Sequence, residues 1–196
     1  MSHRFFFVVA LALALPGAAA APLTVTVTDL AGKPVEGAVV AISVAGAATT
    51  SHGATAQVVQ DGRQFVPQVT VVQTGTAITF PNRDVVRHHV YSFSAIKAFE
   101  LKLYAGNPST PVLFDKAGTA VLGCNIHDRM AAWIVVVDTP YFGKTDAAGQ
   151  AKVDIPEGEH RMRVWHARQA EAPVAVEQKV RAGTPAAVRI AALPDA

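Results

Sequence analysis

Hydrophobic residues in this chain recur in short runs of a strand's length and nowhere at the spacing of a helix. Runs rich in Val, Thr, Ile and Phe cover residues 23–28, 38–44, 69–73, 77–80, 88–93, 119–124, 131–137, 161–167 and 187–193. Gly, Pro, Asp and Asn stand between them and supply the turns. No segment joins a sustained helical period to capping residues. Strand faces of this kind must be buried against one another, so the expected class is all-β, built as sandwiches.

The first residues read differently. Arg4 gives a short basic region, residues 5–15 are apolar, Pro16-Gly17 breaks the run, and Ala18 to Ala21 offer small residues for cleavage. This is the pattern of a secretory signal peptide over residues 1–21, removed after Ala20 or Ala21. The apolar run is too short to span a bilayer comfortably, and no other segment is long and apolar enough to cross one. The expected location is the periplasm, with no membrane span in the mature chain.

About 175 residues remain, enough for one large or two small domains. The 17 basic and 15 acidic residues nearly balance, and losing Arg4 brings them closer still. Such a chain carries no electrostatic footprint for nucleic acid, nor a basic run for anionic membranes.

The chain has one cysteine. In an exported protein it cannot close an internal disulfide, and an exposed thiol would oxidise. Metal ligation resolves the problem, because a coordinated thiolate is held deprotonated. The neighbours of this cysteine agree. Cys124-Asn125-Ile126-His127-Asp128-Arg129-Met130 places a histidine three residues after it and a methionine three residues further on. Thiolate, imidazole and thioether form the soft donor set that copper prefers. Each residue alone has a plainer reading: a buried thiol, a surface histidine, a methionine filling core. Their joint spacing favours the metal. Zinc fits poorly, since thioether is not among its usual ligands. A Cys-His nucleophile would need an orienting third residue and an oxyanion feature, and neither can be picked out, so no enzyme activity is expected. A second histidine must come from elsewhere, and the residues by themselves leave both His88 and His89 open. His52, His160 and His166 show no metal spacing, and the last two read as exposed strand residues.

Residues 56–137 resemble the cupredoxins, the group of plastocyanin, amicyanin and azurin. The resemblance is carried by a strand ending at Pro81-Asn82 before His88, by the Phe114-Asp115-Lys116-Ala117-Gly118-Thr119 lead-in, and by the short C-x-x-H-x-x-M loop. It implies a Greek-key β-sandwich with one copper per chain, cycling between Cu(I) and Cu(II), held by His88, Cys124, His127 and Met130. The first ligand follows from counting six residues on from Asn82. Asn82, His89, Asn125 and Ile126 would surround the ligands. Where the family carries His-Asn-Val, this chain has His88-His89-Val90, which puts the tie between the two ligand loops on His89. Ile126 stands where related loops often carry Pro; its N–H could donate to the Cys124 sulfur, so Ile126→Pro would lower the reduction potential. The implied function is a periplasmic type 1 (blue) copper protein that carries single electrons between redox protein partners. Copper delivery, or an interaction module with a degenerate copper domain, are the alternatives. His127 would be the electron port, with Ala131, Ala132 and Trp133 following it and Asp128 and Arg129 inside the loop, a mixed surface of modest salt dependence. The whole chain is also similar to small exported cupredoxins that carry a methylamine-utilisation label, which does not establish a pathway.

Strand alternation adds an expectation independent of the family. It puts Ala120, Leu122 and Cys124 on one face, so the sulfur should stand at the end of a core.

Two outer segments are similar to the halves of a carboxypeptidase-regulatory-like (transthyretin-like) β-sandwich: Asp29-Leu30-Ala31-Gly32-Lys33-Pro34-Val35-Glu36-Gly37-Ala38, and Thr145-Asp146-Ala147-Ala148-Gly149-Gln150. The expectation is one small sandwich, 22–50 and 140–196, split by an inserted copper domain at 51–139, with Tyr141-Phe142 as a packed link.

Overall fold

The computed structural model describes residues 20–108, 110–127, 129–169 and 175–192. The expected signal segment therefore lies outside the described residues except for Ala20 and Ala21. Among the described residues the protein is all strand and turn, with no helix long and apolar enough to cross a membrane.

The strands are β1 (Ala20–Thr28), β2 (Val39–Ser43), β3 (Thr55–Gln57), β4 (Val59–Asp61), β5 (Gln64–Val66), β6 (Val69–Gln73), β7 (Thr76–Thr79), β8 (His88–Ser94) and β9 (Lys97–Tyr104). They continue as β10 (Val112–Phe114), β11 (Gly118–Gly123), β12 (Ala131–Val137), β13 (Phe142–Lys144), β14 (Gln150–Pro156), β15 (Glu159–Trp165), β16 (Val176–Arg181) and β17 (Ala186–Arg189). Ala20 and Ala21 already pair with Pro156 and Ile155, so cleavage after either would leave β1 at the very start of the mature chain.

Strands from the two ends of the chain pair with each other. One sheet runs β14-β1-β17, the other β13-β2-β15-β16. Between them lies a core of Leu23, Val25, Val27, Val40, Ile42, Ile155, Met162, Val164 and their neighbours. The two turn-bearing segments meet there. Thr145 Oγ1 donates to Val35 O at 2.6 Å and accepts from Ala38 N at 2.9 Å, across more than a hundred positions. Gly149 accepts from Val27 N at 2.8 Å. Its φ is +71°, and a Cβ there would stand 2.5 Å from Val27 O, so both conformation and space require glycine.

The strands of the middle form a five-stranded sheet, β6-β12-β11-β8-β9, a three-stranded sheet, β10-β7-β3, and the β4-β5 hairpin. Their shared core contains Phe65, Ile78, Phe80, Val90, Phe114, Ala120, Leu122, Cys124, Met130 and Ile134. A third cluster joins the inner and outer strands: Val39 and Ala41 of β2 and Trp165 of β15 pack with Val135 and Val137 of β12. This explains why β2 and β12 read as nearly continuous apolar runs. Alternate residues on both faces are buried, in a core on one side and at this contact on the other. Trp133 belongs to the same contact and Ala132 is buried in the inner core, so neither forms the docking surface expected after His127.

The link between the parts is packed. Thr139 Oγ1 donates to Ile42 O at 2.6 Å, Tyr141 O accepts from Ile42 N at 2.8 Å, and Phe142 begins β13.

Candidate metal centre

β11 ends at Gly123, and Ala120, Leu122 and Cys124 are all buried on the core face, with Cys124 3% exposed. The chain then turns: His127 N donates to Cys124 O at 3.4 Å and Met130 N to His127 O at 2.8 Å. This brings Met130, 2% exposed, back into the core cluster that holds Cys124.

β8 supplies the other histidine by the same alternation. His88, Val90 and Ser92 are buried facing the core side, whereas His89, Tyr91 and Phe93 follow one another along the opposite face, their rings tilted, with centroids 5.5 and 5.0 Å apart. His88 Nδ1 lies 3.8 Å from Cys124 Sγ and His127 Nδ1 lies 4.0 Å from it. The three donor atoms fall within 4.8 Å of one another. His88 is fully buried and His127 is half-buried, so one imidazole is sealed and the other reaches the surface.

His89 does not tie the ligand loops together. Its Nε2 lies 2.8 Å from Glu100 Oε1 on the neighbouring strand β9, and its buried Nδ1 has no hydrogen-bond partner. The loop before β8 is held by Asn82 instead. Asn82 Nδ2 donates to Val86 O and Tyr104 O, both at 2.9 Å, and its Oδ1 accepts from Asp84 N at 2.9 Å. Asn125 and Ile126 sit exposed in the turn after Cys124. Among the described residues the hydrogen-bond contacts of Sγ are with the two imidazoles. Ile126 N–H is not among them, which removes the basis of the Ile126→Pro expectation. Asp128 lies outside the described residues, and Arg129 is exposed.

One neighbour of the site escaped the sequence reading. Asp84 Oδ2 is 2.7 Å from His88 Nε2, and the carboxylate also accepts from Gly62 N at 2.8 Å and Arg63 N at 2.9 Å in the β4-β5 turn. Burial alone would push this carboxyl up. The hydrogen bonds from the Arg63 and Gly62 backbone and from His88 outweigh it and hold Asp84 below its ordinary value. The only sequence signal was a carboxylate four residues before a histidine in a turn. Behind the site, Tyr104 OH donates to Phe80 O and meets Gln60 Nε2. Burial, with a further push from the Cys124 charge and against the pull of Gln60, raises its phenol to about 12.

His160 Nε2 bonds to Pro156 O at 2.8 Å. His166 is buried rather than exposed, 3.1 Å from Glu36 O, because it follows β15 into the contact between the segments.

No family model and no curated protein matches the chain. Among solved structures it is similar to a purple cupredoxin from Nitrosopumilus maritimus, at 19% identity over 41% of this chain and 98% of the other, with a TM-score of 0.37. It is similar to a reduced amicyanin variant at 20% identity, over 50% of this chain and 97% of the other, with a TM-score of 0.39. A third is the copper-containing nitrite reductase of Thermus scotoductus, at 24% identity over 57% of this chain and 28% of the other, TM-score 0.39. The purple cupredoxin and amicyanin are thus matched over nearly their whole length by about half of this chain.

Proposed function

We propose that the chain is a type 1 copper protein that carries single electrons between redox partners in the periplasm, with no substrate turnover of its own. The observation that carries this reading is the convergence of His88 Nδ1, Cys124 Sγ and His127 Nδ1 within 4.8 Å. Two imidazoles and a thiolate, with the Met130 thioether buried in the same cluster, match the His₂Cys set with a weak axial Met. Copper bound there would supply a one-electron Cu(I)/Cu(II) couple.

The residues themselves suit such a role. Three of them come from one β11-β12 connection and the fourth from β8, so two paired strands hold the donors from both sides. Donors held this rigidly change position little when an electron arrives, which keeps the reorganisation cost of transfer low. Half-buried His127 offers a short path to the surface, and Ile126 beside it is 49% exposed. The leader of residues 1–21, with its apolar run at residues 5–15, supports export.

Visible absorption and electron paramagnetic resonance of copper-loaded mature protein test the reading. The expected result is an intense thiolate-to-Cu(II) band that Cys124→Ser abolishes. A colourless protein that holds only Cu(I) would replace electron carriage with copper delivery. Failure to bind copper would leave an interaction module.

A further inference from the structure

We propose that Asp84 is a positioning residue for His88, fixing which ring nitrogen is free and lowering the reduction potential of the bound ion. The inference rests on the copper reading for its second half only.

Two backbone N–H donors and one imidazole nitrogen converge on the two oxygens of Asp84: Arg63 N at 2.9 Å, Gly62 N at 2.8 Å and His88 Nε2 at 2.7 Å. An ionised carboxylate only accepts, so in the neutral imidazole Nε2 must carry the proton and Nδ1 is left as a bare lone pair. That lone pair is the atom 3.8 Å from Cys124 Sγ. His88 is fully buried and the Asp84 side chain is 15% exposed, so water does little to loosen the pair. A carboxylate behind an imidazole ligand makes it a stronger donor and places negative charge next to the metal. Both effects favour the more highly charged oxidation state, Cu(II).

The same carboxylate ties the β4-β5 turn to the ligand loop. Gly62 and Arg63 both have positive φ, at 60° and 58°, which points their successive N–H groups at one acceptor. An amide cannot serve all three donors, since one of its two ends is itself an N–H donor. Asp84→Asn should therefore break at least one of the three bonds while preserving volume.

The first test needs neither copper nor a variant. Nitrogen NMR of metal-free protein, at a pH well above the ordinary histidine range, should show His88 protonated at Nε2 with slow exchange. The Nδ1–H tautomer would overturn the proposal whatever the fate of the copper reading. In copper-loaded Asp84→Asn, Cu(II) retention should weaken by about 10–100-fold. The potential should rise by about 59 mV for each tenfold by which Cu(II) is weakened more than Cu(I). A folded variant that keeps the thiolate band with an unchanged or lowered potential would overturn the electronic half. Absence of the band from the wild type refutes the copper reading and this half with it, leaving the tautomer to the NMR result.

Discussion

His88 Nδ1 stands 3.8 Å from Cys124 Sγ, although 36 positions separate the two residues. Its immediate neighbour His89 faces away, its ring against that of Tyr91 and directed at Glu100. The adjacent histidines therefore have opposite fates under substitution. His88→Ala should abolish the thiolate-to-Cu(II) band, while His89→Ala should keep it and lose only stability. Absorption spectra of the two copper-loaded variants check this, and loss of the band in the His89 variant alone would reverse the assignment.

Thr145 is the residue on which the two ends of the chain close. Its hydroxyl takes one hydrogen bond from Ala38 N and gives one to Val35 O in a buried setting. Thr145→Val keeps the shape and removes both, leaving a backbone donor and a backbone acceptor unpaired. The expected cost is about 1–3 kcal/mol for each buried group left without a partner. Thr145→Ser should retain most of the stability. Urea unfolding of the two variants distinguishes them, and a Ser variant less stable than the Val variant would show that the methyl rather than the hydroxyl matters.

Tyr104 gives the protein an alkaline sensitivity. Its pKa is raised from 10.0 to about 12 in the folded state, so the folded chain keeps a proton that the unfolded chain releases first. The stabilisation is complete below the ordinary phenol value and is lost as pH rises from about 10 to about 12. Unfolding free energy measured across that window should fall more steeply for the wild type than for Tyr104→Phe. Parallel curves would contradict the assignment.

Several features of this structure were legible because they are local. Alternation alone places Ala120, Leu122 and Cys124 on one face, and they are buried together. The same rule separates His88 from His89 once Val90 is recognised as core. β9 gives no clear signal in the sequence, because Lys97, Glu100 and Lys102 interrupt its apolar residues and Ala98 and Leu103 are exposed. The misreading of His166 has a different cause. Nothing near it in sequence announces Glu36, 130 positions earlier, whose carbonyl it meets. Trp133 likewise reads as a surface residue following the loop until β2 and β15 are laid across it.

By itself the sequence determined the donor types, their loop spacing and the strand character of the chain, since each depends on residues within a few positions of one another. Only the tertiary structure decided that Asp84 backs His88, that Asn82 rather than His89 braces the ligand loop, and that β12 is covered on both faces. Strand periodicity is set by backbone geometry residue by residue. Which strands then meet depends on the summed burial and hydrogen bonding of surfaces far apart in the chain, and no local pattern records that sum.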